Sequence, residues 1–262
     1  MKQISIVAIV AIGLSGAACN AKQGASGNSS ATADSGKPVH AVAPPKNGDW
    51  TTVVTATDAG GFMMGNPNAK VHLVEYGSMT CPHCQRFEEN SVPQLEAKYV
   101  KTGQVSYEFR NYLRNAIDLG VALIAQCNGE KSFFPLTKAL YHDQPTWFAK
   151  VQAAPQDQLQ ALESLPPGQI APAAAKLADL QNWAAMRGVA PAKSAQCLAD
   201  QKATDRLVQV TSDVATQYPG FQGTPSFVIN GTLVDLGPVT EEQVWPTLES
   251  KIKAALGGGE RG

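Results

Sequence analysis

The chain has 262 residues, of which 44% are hydrophobic and 16% are charged, and its formal net charge is −1. This length suits one large domain or one domain with an insertion, and the hydrophobic fraction is ample for a core. The near balance of 21 basic and 22 acidic residues gives no support to nucleic-acid binding or to binding of an acidic membrane surface.

The N-terminus has the pattern of an export signal. Residues 4–14, ISIVAIVAIGL, are almost wholly apolar, with Lys2 before them and small residues after them. A basic start, an apolar run and a small-residue end predict a secretory signal peptide over residues 1–18. The apolar run is about half of the roughly 20 residues that a membrane-spanning helix needs. We therefore expect an exported protein rather than an integral membrane protein.

Cys19 ends the small-residue run SGAAC, which resembles a bacterial lipobox. In that pattern the cysteine becomes the lipidated first residue of the mature chain, although Gly16 stands where leucine is usual. The alternative is an ordinary cleavage nearby. Residues 19–49 are rich in Ala, Ser, Gly, Asn and Pro and lack periodicity, which predicts a flexible linker. A lipid on Cys19 would tether the domain to a membrane.

The folded domain is predicted to begin near Trp50. The stretch TTVVTAT that follows is rich in β-branched residues and predicts a first strand, and GGFMMGNPNAK supplies turn residues. Residues 71–76, VHLVEY, predict a second strand that is apolar on both faces except at Glu75. Burial on both faces is typical of a central strand.

The next elements predict a parallel strand pair. A helical pattern covers QRFEENSVPQLEAKYV, with a kink at Pro93, and residues 104–112 predict a third strand. A strand, a helix and a strand with a crossover of this length imply parallel pairing.

The second half of the chain is predicted to be mostly helical before the sheet resumes. Residues 114–200 have helical patterns separated by proline-rich breaks, and the strand pattern returns at SFVIN and TLVDL. Asn230-Gly231 between these two runs is a strong hairpin signal. A last helix is predicted from Glu241 to Ala255. The breaks fall at Pro145, Pro155, Pro166, Pro167 and Pro191.

Two cysteines lie where the buried strand ends and the next helix begins, in GSMTCPHCQRF. Pro82 suits the first helical position, so Cys81 is expected to face the unpaired N–H groups and the positive end of the helix dipole, which stabilise a thiolate. His83 is expected to lower the thiol pKa further. Cys84, one turn later, is expected to be less exposed and able to attack a mixed disulfide on Cys81. These features predict a dithiol exchange site.

This stretch resembles the thioredoxin superfamily and, within it, the periplasmic DsbA-like thiol-disulfide oxidoreductases. Pro82-His83 is the dipeptide typical of DsbA, and GNPNAKVHLVEYGSMTCPHC is similar to the family's strand and active-site segment. Glu75, six residues before Cys81, matches the family's buried acid. GTPSFVING, residues 223–231, resembles the loop that carries a cis-proline.

The resemblance implies an α/β fold, namely a thioredoxin fold with an inserted helical domain. The implied catalytic residues surround the cysteine pair and the cis-proline loop, and no cofactor or metal is expected beyond the redox-active disulfide. The implied catalytic set is Glu75, Cys81, Pro82, His83, Cys84, Thr224 and Pro225. The domain prediction is a signal at 1–18, a linker at 19–49, the two parts of the thioredoxin fold at 50–113 and 201–257, the helical insertion at 114–200, and a disordered tail at 258–262.

The resemblance also implies a function and partners. We expect an oxidase of the bacterial periplasm that introduces disulfide bonds into newly exported, cysteine-containing polypeptides. A membrane redox partner of the DsbB type would reoxidise it. The N-terminus lacks a convincing dimerisation domain of the kind that isomerases carry, which favours a monomer.

Cys127 and Cys197 remain once the signal and active-site cysteines are set aside. Four cysteines allow three connectivities, and the CxxC pairing is the short one. A Cys127–Cys197 disulfide is predicted, resembling the second disulfide of some DsbA-like proteins. We expect it to stabilise the fold, and the alternative is that it tunes the chemistry of Cys81.

Two alternatives to the oxidase remain open from the sequence. Thr224, before Pro225, is seen more often in isomerase-like members of the superfamily, which favours a disulfide isomerase or reductase. A copper(I) chaperone would use Cys81, Cys84 and His83. The methionines that could assist copper are more often core or rim residues, and they are Met63, Met64 and Met79.

Each site residue also has an ordinary structural interpretation. The CxxC could be a staple or half of a zinc site, although no second CxxC supplies the missing ligands. Glu75 could be a satisfied acid at the end of a strand, and Pro225 could be an ordinary trans-proline.

Overall fold

The structure is a computed structural model that describes residues 45–46 and 48–257. These residues belong to one compact unit. The predicted signal peptide, Cys19, most of the predicted linker and the tail at 258–262 lie outside the described residues. In the described part of the chain, no helix combines the length and the apolar character needed to cross a membrane.

A mixed six-stranded sheet forms one layer of the molecule. Its spatial order is β1-β2-β4-β3-β5-β6. Strands β3 and β4 are parallel, as predicted, and the other neighbouring pairs are antiparallel. The strands are β1 (Val54–Ala56), β2 (Phe62–Met64), β3 (Val71–Gly77), β4 (Val105–Asn111), β5 (Ser226–Ile229) and β6 (Thr232–Leu233).

Strand β3 is the central strand predicted from its apolar pattern. Val74 pairs with Glu108 of β4 on one side and with Val228 of β5 on the other. Six of its seven residues are buried. The active-site segment therefore leaves the sheet from its most enclosed strand.

Helices cover both the crossover and the long central block. Prolines stand at the starts of four helices of the central block, because a missing N–H costs nothing in a first turn: Pro145 in α5, Pro155 at the N-cap of α6, Pro167 in α7 and Pro191 in α9. The helices are α1 (Pro82–Asn90), α2 (Val92–Leu95), α3 (Ala116–Gln126), α4 (Glu130–His142), α5 (Gln144–Gln152), α6 (Gln156–Ser164), α7 (Pro167–Leu177), α8 (Leu180–Ala185), α9 (Pro191–Leu198), α10 (Gln201–Gln217) and α11 (Glu241–Ala255).

The helix after the cysteine pair is interrupted close to the predicted kink. Helix α1 ends at Ser91, and Pro93 lies in the first turn of α2. Proline lacks the N–H that would continue the ladder of helical hydrogen bonds. A π-helical segment, Glu96–Val100, completes the crossover.

Two elements differ from the sequence-based expectation. The segment predicted as a turn contains β2, whose Phe62 and Met64 are buried against the helical block, so tertiary packing outweighs the local turn signals. Helix α10 was not predicted, although it is amphipathic and buries Thr204, Leu207 and Val214.

The helical block packs against the sheet through aromatic side chains. Phe133 of α4 stacks on Phe62 with ring centroids 4.0 Å apart, and it also contacts Phe109 of β4. The structure contains a disulfide between Cys127, at the C-cap of α3, and Cys197 in α9, with Cα atoms 5.6 Å apart. The predicted α/β architecture with a helical insertion is confirmed.

Candidate active site

The cysteine pair occupies the junction of β3 and α1. Cys81 is the N-cap of α1, and Pro82 is its first residue. Both cysteines are unpaired thiols, and both are buried, with exposures of 2% for Cys81 and 0% for Cys84. Residue exposure therefore distinguishes the two cysteines very little, whereas their pKa shifts distinguish them strongly.

The two thiols are shifted in opposite directions. A hydrogen bond from Cys84 is the largest effect and lowers the pKa of Cys81 to about 5, with help from the backbone N–H groups of Cys84 and His83. Burial raises the pKa of Cys84 well above its usual range. At neutral pH, Cys81 is the thiolate and Cys84 the thiol, as a nucleophile with a resolving partner requires.

The His83 ring contacts Glu241 and Arg86. Its Nδ1 lies 2.6 Å from Glu241 Oε1 and 3.2 Å from Arg86 Nη2, and Arg86 also contacts Glu241. The group of His83 that lowers the pKa of Cys81 is its backbone N–H. His83 therefore lowers the pKa of Cys81 as a hydrogen-bonding neighbour, through its backbone rather than its ring.

Glu75 lies in the core below the pair, with an exposed fraction of 2%. The Tyr107 hydroxyl donates a hydrogen bond to its Oε2 at 2.6 Å. Burial raises the pKa of Glu75 to about 8, with smaller contributions from Glu88 and Cys81. Glu75 also raises the pKa of Cys84 through its charge, so the two groups are electrostatically coupled.

The loop before β5 lies against Cys81. The Thr224-Pro225 peptide bond is cis, as the resemblance implied. Cys81 Sγ lies 3.2 Å from the Thr224 carbonyl oxygen, to which it donates when the thiol is protonated. This contact brings Thr224 and Pro225 to the sulfur that is predicted to react.

A groove of about 570 Å³ runs from this loop between α1 and α11. Its walls combine apolar side chains with the polar side chains of His83, Arg86 and Glu241 at one side. Phe87, Pro225, Val244 and Trp245 contribute apolar surface. The groove thus reaches Thr224, whose carbonyl oxygen contacts Cys81.

Some residues of the site escaped the sequence analysis. Burial raises the pKa of Glu88 to about 8, and its position one helical turn beyond Cys84 was the available signal. Tyr107 and Gln144 read as ordinary core and helix residues. Among the described residues, no group of three or more His, Cys, Asp or Glu side chains is arranged to hold a metal ion.

Comparison with known proteins gives a consistent result. The family described as Thioredoxin matches residues 57–250. Rickettsia bellii has a relative named "Putative protein-disulfide oxidoreductase" that is 30% identical over 174 residues, covering 66% of this chain and 58% of that protein. A relative of the same name in Rickettsia felis is 31% identical over 180 residues, covering 68% and 56%. The chain thus spans less than two thirds of the length of these relatives.

Solved structures share the fold. A protein-disulfide isomerase from Novosphingobium aromaticivorans superposes with a TM-score of 0.68 and 32% identity, covering 74% of this chain and 97% of that one. The alpha-DsbA1 of Wolbachia pipientis superposes with a TM-score of 0.56 and 24% identity, covering 74% and 90%. The predicted thioredoxin fold with an inserted helical domain is confirmed.

Proposed function

The chain belongs to the thioredoxin family, and on that premise we propose that it is a thiol-disulfide oxidoreductase that introduces disulfide bonds into exported polypeptides. The carrying observation is the asymmetry of the pair, in which the pKa of Cys81 is lowered to about 5 and that of Cys84 is raised. A stable Cys81 thiolate favours the reduced enzyme, so the Cys81–Cys84 disulfide is an oxidant.

The proposed reaction begins with the oxidised pair. A substrate thiolate attacks Cys81 Sγ, the Cys81–Cys84 bond breaks, and the electron pair leaves on Cys84. A second substrate thiolate then attacks the substrate sulfur of the mixed disulfide, and Cys81 leaves as a thiolate. The substrate loses two electrons, and the enzyme pair gains them. Because the chemistry takes place on sulfur alone, it requires no cofactor.

Glu75 is proposed to handle the proton of Cys84. With a pKa of about 8, its carboxyl group is mostly protonated at neutral pH and can protonate Cys84 as that sulfur leaves. It can take the proton back when Cys84 attacks a mixed disulfide. Thr224 and Pro225 would hold the substrate beside Cys81, and a membrane partner of the DsbB type would accept the two electrons.

A second candidate function uses the same thiol-disulfide exchange but reduces or rearranges disulfides instead of forming them. The 32% identical Novosphingobium protein is called a protein-disulfide isomerase, and Thr224 before the cis-proline also favours this function. An isomerase would work from the reduced Cys81–Cys84 pair and would rearrange wrong disulfides.

Refolding of a protein with several disulfides separates the two candidates. We expect the oxidised enzyme to restore activity to the reduced substrate and to rescue a scrambled substrate poorly. Cys81→Ser is the control and should be inactive in both assays. Efficient rescue of the scrambled substrate by the reduced enzyme would establish the isomerase instead.

We also propose that the protein works in the bacterial envelope as a monomer, held to a membrane through Cys19. The support is the signal pattern of residues 1–18 and the SGAAC run. Palmitate labelling of the parent and of Cys19→Ala tests the anchor, and equal labelling of the two would end this part of the proposal.

A further inference from the structure

The turn that precedes the reactive cysteine, residues 78–80, is held by the helical block. Ser78, Met79 and Thr80 are buried, with exposures of 0%, 1% and 6%. A buried turn needs partners for its polar groups, because an unpaired buried N–H or C=O is costly. Much of that pairing comes from side chains of α3, α4 and α5, three successive helices that lie in the predicted insertion.

Asp118 of α3 binds the side chains and one N–H group of this turn. Its carboxylate accepts from the Ser78 hydroxyl at 3.0 Å, from the Thr80 hydroxyl at 3.0 Å and from the Thr80 N–H at 2.9 Å. The Arg114 N–H donates to the same carboxylate at 2.9 Å. Asn115 donates to the Thr80 hydroxyl at 3.0 Å. Asp118 thus joins the turn to the start of the helical block.

Tyr141 and Gln144 bind the carbonyl groups. The Tyr141 hydroxyl donates to the Ser78 carbonyl oxygen at 3.1 Å. Gln144 Nε2 donates to the carbonyl oxygens of Met79 at 2.7 Å and of Cys81 at 3.2 Å. The amide of Gln144 therefore reaches the backbone of the reactive cysteine itself.

We infer that the helical block positions the Cys81 sulfur through Asp118, Tyr141 and Gln144, which act as positioning residues for thiol-disulfide exchange. This inference rests on the proposed function and adds a role for the insertion within it. None of the three touches the Cys81 sulfur in the described contacts. Their effect passes through the backbone of residues 78–81.

The thiolate of Cys81 depends on this backbone because its hydrogen bonds are directional. The N–H groups of His83 and Cys84 lower the pKa of Cys81, and such bonds weaken steeply as they bend. Cys81 is the N-cap of α1, and its carbonyl oxygen accepts from the Gln85 N–H at 3.1 Å as well as from Gln144. Movement of this carbonyl would turn the sulfur relative to its donors.

Gln144→Met tests the inference in the full chain, because methionine keeps the length of the side chain and removes the donor. Gln181→Met is the matched control, since Gln181 lies in the same helical block and donates to Ser194 Oγ at 3.4 Å, away from the turn. The readouts are the thiolate absorbance of Cys81 against pH and the glutathione ratio, [GSH]²/[GSSG], that reduces half of the pair.

For Gln144→Met we expect the ratio for half-reduction to rise about three- to tenfold, the size expected for one buried hydrogen bond. The Cys81 pKa should rise with it, and Gln181→Met should leave both values at those of the parent. Equal values for Gln144→Met, Gln181→Met and the parent would overturn the inference, even if Gln144→Met unfolds at a lower temperature. A parent pair that is reducing would refute the proposed oxidase instead.

Tyr141→Phe provides a second test of the inference if Gln144→Met does not fold. It removes the side-chain donor to the Ser78 carbonyl, which also accepts from the Cys81 N–H. Tyr99→Phe is its control because the Tyr99 hydroxyl donates to Glu249 of α11, outside the helical block. A rise in the half-reduction ratio is expected for Tyr141→Phe alone. An unchanged ratio in Tyr141→Phe would contradict the positioning role.

Discussion

The protein contains two cysteine pairs whose surroundings differ in almost every respect. Cys81 and Cys84 lie within one helical turn, at a helix N-terminus and above a buried carboxylic acid. Cys127 and Cys197 are 70 residues apart in sequence and join two helices of the insertion. The first pair consists of thiols, and the second is a disulfide.

The comparison shows what makes a cysteine pair reactive. Hydrogen bonds stabilise the Cys81 thiolate. Burial and the charge of Glu75 raise the pKa of Cys84. The Cys127 and Cys197 sulfurs are bonded to each other, so neither is a thiolate that hydrogen-bond donors could stabilise. The Cys81–Cys84 pair is therefore reactive because hydrogen-bond donors stabilise one sulfur as a thiolate. The role of the Cys127–Cys197 pair depends instead on the length of chain that it closes into a loop.

Cys81→Ser gives the largest expected effect. A hydroxyl group in place of the thiolate cannot form the mixed disulfide, so oxidation of a dithiol peptide should fall to the uncatalysed rate. The double variant Cys127→Ala with Cys197→Ala should retain that activity. Loss of oxidation in the double variant, measured at a temperature where it is folded, would contradict the separation of the two pairs.

Glu75→Gln sharpens the account of the reactive pair through its pH dependence. The folded-state pKa of Glu75, about 8, lies above its ordinary value of 4.5. The folded state therefore keeps a proton that the unfolded state releases, and stability falls as pH rises from about 4.5 to about 8. The Glu75 contribution to this loss of stability is at most roughly 5 kcal/mol, and it should be absent in Glu75→Gln.

The measurement for Glu75 is denaturant unfolding of the reduced parent and of Glu75→Gln at pH values from 5 to 8. The difference between the two curves reports the titration of Glu75 together with its coupling to Glu88, Cys81 and Cys84. A difference that does not change with pH would show that Glu75 has an ordinary pKa in the folded protein.

Removal of the Cys127–Cys197 disulfide tests the stabilising role of the second cysteine pair. Opening a 70-residue loop should lower the free energy of unfolding by about 4 kcal/mol in the chain-entropy account. Unfolding in urea measures this for Cys127→Ala with Cys197→Ala. The glutathione equilibrium of Cys81 and Cys84 should stay at the parent value, and a shift would show that the second pair tunes the first.

Glu241→Gln gives the smallest expected effect. Its carboxylate lies against His83 and Arg86, and its removal leaves the positive charge of Arg86 without this counterion near the N-terminus of α1. The half-reduction ratio for glutathione should fall less than about tenfold, because these side chains are partly exposed and salt screens them. Glu249→Gln, further along α11 and paired with Lys98 and Lys253, is the control. A rise in the ratio for Glu241→Gln would contradict this assignment.

The centre of the sheet and the cysteine pair could be predicted because their signals are local. Residues 71–76 are apolar on both faces, Asn230-Gly231 is a turn dipeptide, and Pro82 between the two cysteines indicates a helix start. These patterns depend on a few neighbouring residues. The structure places a buried strand, a hairpin and a helix N-cap at these positions.

Other parts depend on contacts between distant residues and could not be predicted. Phe62 and Met64 lie among turn residues in sequence and become a strand by packing against α4. The His83 ring pairs with Glu241, 158 residues later. Asp118 and Gln144 are polar residues in helical patterns, and their contacts with residues 78–81 exist only once the insertion folds onto the sheet.

The central claim is that the Cys81–Cys84 pair is an oxidant, and its equilibrium with glutathione tests this most directly. The redox state is read by alkylation and mass, with the Cys127–Cys197 disulfide left intact. The lowered pKa of Cys81 predicts a potential near or above about −180 mV. A potential near about −250 mV or lower would mark a reductant and contradict the proposed direction of electron flow.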